Sequence, residues 1–152
     1  MPQGTDGVGQ VMRLFIAVIH RQPMREVDEA VAVVNRGLEG CIHGRTGSRR
    51  QVLLMDAETL ELLGVPPGAV KENITTSGLR VGELQAGQRL RVGEALFEVS
   101  VPCEPCHRMD EIRQGLKEKL QGRRGMLCRV VKAGRIRRGD GIQVLDRINA
   151  SI

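Results

Sequence analysis

The stretch RLRVGEALFEVSV, residues 89–101, alternates apolar and polar side chains in two runs separated by Gly93-Glu94. Successive side chains of an extended strand point to opposite faces, so this pattern predicts a β-hairpin with one buried face. Outward from the hairpin, VMRLFIAVIH (11–20) is a short apolar run rich in branched residues and reads as a buried strand. VDEAVAVV (27–34) alternates in part and predicts a second strand, and QVLLM (51–55) and MLCRVVKAG (126–134) predict two more. Two further short strands fall between Arg135 and Val144, around the turn Arg138-Gly139-Asp140-Gly141.

Between the strands, GLEGCIHGRTGSRR (37–50) reads as a loop, and ENITTSGLRVGEL (72–84) as polar and irregular. Asp56 is placed to cap a short helix, AETLELL, that stops at Gly64. From Asp110 to Leu120 the period changes. Ile112, Leu116 and Leu120 stand at i, i+4 and i+8 and predict one apolar helix face, ended by Gly122. The expected fold is mostly β: a single domain over residues 11–152, closed as a β-barrel with a few peripheral helices. Residues 1–10, polar and rich in glycine, are expected to form a flexible N-terminal segment.

Composition narrows the function. The 152 residues suit one domain, and an apolar content of 41% is enough for a core. Phe15 and Phe97 are the only aromatic residues, so Val, Leu, Ile and Met must build that core. A platform for stacking bases cannot readily be assembled, and no nucleic-acid partner is expected. The net charge of +5 suits an anionic small-molecule ligand. No apolar run reaches the roughly 18 residues of a membrane span, so no membrane partner is expected. VMRLFIAVIH is interrupted by Arg13 and lacks the flanks of a signal peptide. The expected location is therefore cytoplasmic, with Cys41, Cys103, Cys106 and Cys128 as thiols.

The segment VPCEPCHRMDEI, residues 101–112, carries the most chemistry per residue. Its C-x-x-C-H string fits four readings. Attached haem would use both thiols and His107, but is assembled after export, for which no signal is visible. Structural zinc would join Cys103 and Cys106 to Cys41 and His43 as a Cys3His set. A dithiol redox pair would expect a βαβ context that is missing. The fourth reading is a single working thiol, Cys106, between a strand end and a helix whose N-terminus is directed back at the loop. Pro102 and Pro105 stiffen the loop and suit presenting that thiol more than burying it as an inert core residue.

The order GLEGCIHG, RRQVLLMDAETL, ENITTSGL, LQAGQRLRVGEALFEVSVPCEPCHRMDEIRQGL and GRRGMLCRVVKAGRIRRGDGI resembles the MOSC domain, the C-terminal domain of molybdenum-cofactor sulfurases that also occurs as small stand-alone proteins. The resemblance runs from about residue 12 to residue 145 and is carried by the order and spacing of the motifs. It implies a MOSC-like β-barrel and a molybdenum cofactor of the molybdopterin type. It also implies a cysteine that carries sulfur as a persulfide or contacts molybdenum; by position in P-C-x-P-C that residue is Cys106.

Other positions carried over by the resemblance are Arg50 and Arg124, expected to pair with the anionic phosphate of the pterin, and Asn73, Thr75 and Thr76, expected to supply uncharged donors. His43 is a candidate proton donor or ligand. Cys41 stands where the family pattern G-L-E-G-D-x-H has Asp, which would exchange a fixed charge for a mostly neutral, oxidisable group. Full-length sulfurases mobilise sulfur in a pyridoxal-phosphate domain; none lies in these 152 residues, so a cysteine desulfurase or other sulfur donor is the expected partner. Relatives that reduce N-hydroxylated substrates imply a second activity, a reductase module that would require a redox partner.

Overall fold

The computed structural model describes residues 8–145; most of the expected flexible segment 1–10 lies outside them. The strands are β1 Gly9–Ile16, β2 Arg25–Val27, β3 Glu29–Val33, β4 Gly37–Leu38, β5 Val52–Asp56, β6 Ile74–Ser77, β7 Arg89–Val92, β8 Ala95–Pro102, β9 Met126–Lys132, β10 Gly134–Arg137 and β11 Gly141–Leu145. The helices are α1 Ala57–Leu63, α2 Arg108–Ile112 and α3 Leu116–Lys119, with a single 3-10 turn at Val81–Glu83.

Seven strands close into a barrel in the order β11-β7-β8-β9-β5-β6-β1, and β1 returns to β11 through the pairs Gly9↔Ile142 and Gln10↔Gly141. All neighbours are antiparallel except β5 and β6, which run parallel. Strand β2 extends the sheet beyond β1, and β10, β3 and β4 form a separate three-stranded sheet. Closure removes the open edges that a sheet of short strands would otherwise expose.

Side-chain alternation explains why these segments close. In the 89–101 hairpin Leu90, Val92, Ala95, Phe97 and Val99 all face the interior, and Phe97, with no solvent exposure, sits in the main core with Val11, Leu14, Val52, Leu54, Ile74 and Cys128. On β1 the pairing shifts between Val11 and Arg13, so Met12 is an extra residue that bulges out and is exposed. Strand β5 is apolar without alternation because both its faces are covered. Val52 and Leu54 point into the barrel, Met55 packs under the helices with Leu60, Met109, Leu116 and Leu120, and Leu53 meets Cys103 and Leu127.

Some expectations need correction. The segment 72–84 is not irregular throughout, since Ile74–Ser77 is a barrel strand in which Thr75 and Thr76 are fully buried. The run 27–34 is split at Asp28 between β2 and β3, which belong to different sheets. The helix expected over 110–120 is two short helices. The chain is extended at Arg113 (φ −161) and left-handed at Gly115 (φ 88), so Leu116 and Leu120 are buried while Ile112 is 38% exposed. The five residues of α2 are too few to direct a substantial dipole at the cysteine loop. Helix α1 forms as expected, with Asp56 accepting from the Thr59 amide and Gly64 as a left-handed cap. Among the described residues no helix is long and apolar enough to cross a membrane.

Candidate functional site

Strands β8 and β9 pair to their ends, with Pro102 opposite Met126. The next residues outward, Cys103 and Gly125, are therefore neighbours, and the Cys103 amide donates to the Gly125 carbonyl at 3.0 Å. Gly125 has φ +112, and a Cβ there would collide with the carbonyl oxygen of Leu54. Only glycine lets this turn lie flat on β5, and the turn fixes Arg124 beside Cys103.

Arg124 is 7% exposed, and its Nε and Nη1 have no hydrogen-bond partner among the described residues. A guanidinium always carries its charge, and leaving its donors buried and unpaired is costly. Beside it a cavity of about 450 Å³ is lined by His20, His43, Arg45, Arg50, Lys71 and Arg124 together with Asn73 and Cys103. Among the described residues the lining contains no carboxylate. A second cavity of about 780 Å³ shares Cys103 and Arg124 with the first, but mixes Asp56, Glu83 and Glu104 with Arg80 and Arg123. Cys103 and Arg124 thus stand in a wall common to both cavities.

Glu72 is an acid on which the charge of Arg124 acts, and it is itself fully buried. Its Oε2 accepts from the Gly68 amide and the Thr75 hydroxyl, each at 2.8 Å, while Oε1 has no partner among the described residues. Burial pushes its pKa up, against the opposing pull of those two hydrogen bonds and of Arg124. His43 is shifted the other way: desolvation lowers its pKa, and the nearby charges of Lys71 and His20 add to the effect. A neutral His43 in this cationic lining retains a nitrogen that can accept a proton.

The residues predicted from sequence separate into three groups. Arg50, His43 and Arg124 converge on the first cavity. Asn73 also lines it, but its amide is committed elsewhere. Oδ1 accepts from the Leu53 amide at 2.9 Å, and Nδ2 donates to the Phe15 carbonyl at 3.2 Å and to Cys41 Sγ at 3.4 Å. Asn73 is a pin between β1 and β5 and not the free donor expected. Thr75 spends its hydroxyl on Glu72, Thr76 is sealed in the barrel wall, and neither lines the cavity.

The cysteines are arranged unexpectedly. Cys106 is exposed and belongs to neither cavity lining, whereas Cys103 is 7% exposed and belongs to both. Cys41 is buried with its sulfur accepting from the Ala17 amide and Asn73, so it cannot join His43, Cys103 and Cys106. Among the described residues no three His, Cys, Asp or Glu side chains gather as a metal site, which removes the Cys3His zinc reading. Lys71 and the cysteine pair's division between surface and cavity were missed by sequence reasoning; a lone lysine next to Glu72 gives no local signal.

Residues 42–143 match the MOSC domain model, two thirds of the chain and all of the cavity's loops except His20. The chain belongs to the MOSC domain family. MOSC domains are associated with molybdenum-cofactor function. This MOSC domain is 34% identical over 84 residues to the uncharacterised protein YflK of Bacillus subtilis, matching 52% of this chain and 38% of that protein. It is 30% identical over 98 residues to YiiM of Escherichia coli, matching 60% of this chain and 42% of YiiM. A protein of Gibberella moniliformis named Reductase is 34% identical over 85 residues, 53% of this chain but 15% of its own length. The match therefore spans less than half the length of these curated relatives. Among solved structures, the YUAD protein of Bacillus subtilis superposes with a TM-score of 0.79 at 21% identity, covering 90% of this chain and 95% of that one. YiiM from Escherichia coli superposes with a TM-score of 0.68 at 25% identity, covering 91% of this chain and 72% of the other.

Proposed function

We propose that this MOSC domain binds the anionic part of a molybdopterin-type cofactor in its cationic cavity and presents Cys106 as the thiol that carries sulfur or contacts the metal. The observation that carries this reading is Arg124: a buried guanidinium, with Nε and Nη1 unpartnered among the described residues, in the wall of a cavity whose described charged lining is entirely basic. A phosphate placed in the cavity would meet the fixed charge of Arg124 in its wall, and Arg45, Arg50 and Lys71 would balance the remaining negative charge. The donor set therefore fits the pterin phosphate. When bound, the cofactor supplies a redox-active, sulfur-binding metal.

The chain's own residues hold and orient the ligand. The Asn73 pin and the Gly125 turn keep the cavity wall rigid, so Arg124 is positioned before any ligand arrives. Neutral His43 is available to accept a proton inside the lining. Cys106, exposed beyond the end of β8, is open to a protein sulfur donor such as a cysteine desulfurase, and would receive sulfur by attacking the donor's persulfide. Any pyridoxal phosphate would belong to that partner.

The test is expression in a host that makes molybdenum cofactor, followed by elemental analysis. Wild type should retain molybdenum and phosphorus together, and Arg124→Gln should lose both. Equal molybdenum in the two proteins would contradict the reading.

A second reading, a molybdenum-dependent reductase module for N-hydroxylated substrates, is supported by the similarity to the Gibberella moniliformis protein named Reductase. It requires a redox partner. Reduction of a hydroxylamine by the molybdenum-loaded protein with an artificial electron donor would favour it over a carrier role.

A further inference from the structure

We infer that Cys103 and Cys106 form a two-step sulfur relay, in which exposed Cys106 takes sulfur from a protein donor and Cys103 delivers it to the wall between the two cavities. The inference rests on the sulfur-carrier reading of Cys106 and assigns the inner residue of the pair a role that this reading leaves open.

The two thiols divide accessibility between them. Cys106 can be reached from solvent but lines neither cavity. Cys103 lines both cavities yet is 7% exposed, packed against Leu53 and Leu127, so a sulfur held on another protein cannot approach it directly. A carrier restricted to Cys106 would leave the sulfur outside the cationic cavity. A carrier restricted to Cys103 could not be loaded by a macromolecule.

The connection between them is short and anchored. Three residues of chain span at most about 11 Å even when fully extended. Pro105 within that span is buried, and the Cys106 carbonyl accepts from the Met109 amide at 2.9 Å. At the other end the Cys103 amide is held by Gly125. Between these anchors the two cysteines stand at C-x-x-C spacing, that of dithiol pairs whose thiolates act as nucleophiles on S–S bonds.

The chemistry balances without an added oxidant. Cys106 thiolate attacks the outer sulfur of the donor persulfide, forming Cys106–S–SH and releasing the donor thiolate. Cys103, as thiolate, then attacks the outer sulfur of Cys106–S–SH. The S–S bond at Cys106 breaks, a new S–S bond forms at Cys103, and Cys106 leaves as thiolate, ready for the proton that Cys103 gave up. Attack on the inner sulfur would instead give a Cys103–Cys106 disulfide and hydrosulfide, and the sulfur would be lost.

The experiment uses the full chain with a cysteine desulfurase carrying persulfide as the probe, and locates added sulfur by fragmenting the peptide that contains both cysteines. In wild type, added sulfur should appear first on Cys106 and then on Cys103. Cys106→Ser should abolish labelling of Cys103. Cys103→Ser should let Cys106 persulfide accumulate, and Cys103→Ala provides the same readout if serine disturbs the packing against Leu53. Cys103 labelled as fast in Cys106→Ser as in wild type would overturn the relay, as would a Cys103–Cys106 disulfide with released hydrosulfide. Absence of sulfur on Cys106 itself would instead overturn the carrier reading beneath it.

Discussion

Glu72 and Arg124 are a buried acid and a buried base that attract each other, yet among the described residues each keeps polar atoms without a hydrogen-bond partner: Oε1 on the carboxyl, Nε and Nη1 on the guanidinium. No ion pair joins them among the described residues. Glu72 offsets part of the charge of Arg124 through space without taking up its donors. Such a site is poised rather than relaxed, and its cost should be visible in stability.

Replacing Arg124 by Met removes the unpaired charge and keeps much of the volume. Without ligand, Arg124→Met should unfold at a higher temperature than wild type, by the equivalent of about 1–2 kcal/mol. It should also lose all stabilisation by added phosphate esters. Thermal unfolding with and without phosphate checks both parts, and a destabilised variant would show that Arg124 is structural.

The pH dependence follows from two opposite shifts. Glu72 holds its proton more tightly folded than unfolded, so its contribution to stability is complete below its ordinary value of 4.5 and is lost as pH rises through its raised folded pKa. Glu72→Gln should flatten that loss and bind anions more tightly, because a repelling carboxylate is gone. His43 holds its proton less tightly folded, so the protein should lose stability as pH falls below 6.5 toward the lowered folded value, and His43→Gln should remove this slope. Denaturation midpoints measured across these windows check the signs.

The four thiols should react with an alkylating agent in order of exposure. Cys106 should react at once and Cys103 slowly through the cavity, whereas Cys41 and Cys128 should react only after unfolding. Burial pushes the Cys128 thiol far up, which adds to its inertness. Mass spectrometry of the alkylated peptides over time gives the order, and early modification of Cys41 would contradict the core placement described above.

Asn73 joins the Leu53 amide, the Phe15 carbonyl and the sulfur of Cys41. Asn73→Ala should cost about 2–4 kcal/mol, because it leaves buried backbone groups of two barrel strands unpaired. Asn73→Asp should also destabilise, since it loses the donor to Phe15. Urea unfolding measures both; a cost below about 1 kcal/mol would mean that water or a neighbour takes over the bonds.

The barrel was legible in the sequence wherever burial has one side. The 89–101 hairpin alternates because its outer face meets water, and its inward residues follow directly from the pattern. Strand β6 was hidden because Thr75 and Thr76 are polar in composition but fully buried, the first made tolerable by its bond to Glu72. The 110–120 helix failed because periodicity in Ile112, Leu116 and Leu120 says nothing of the break at Arg113 and Gly115. Among site residues, Arg50, His43 and Arg124 line one cavity. Two features could not be read: that Asn73 would be consumed by the backbone, and that Arg124 is left without partners while most of its 22 fellow cationic residues are solvated. Both depend on strands that are distant in the chain and meet only when the barrel closes.

The most direct test is equilibrium titration of purified protein with a pterin phosphate, comparing wild type, Arg124→Gln and Arg80→Gln. Wild type and Arg80→Gln should bind with the same affinity, because Arg80 lines the other cavity, and Arg124→Gln should show no saturable binding. Undiminished binding by Arg124→Gln would contradict the account, since the buried guanidinium would then not be what holds the anion.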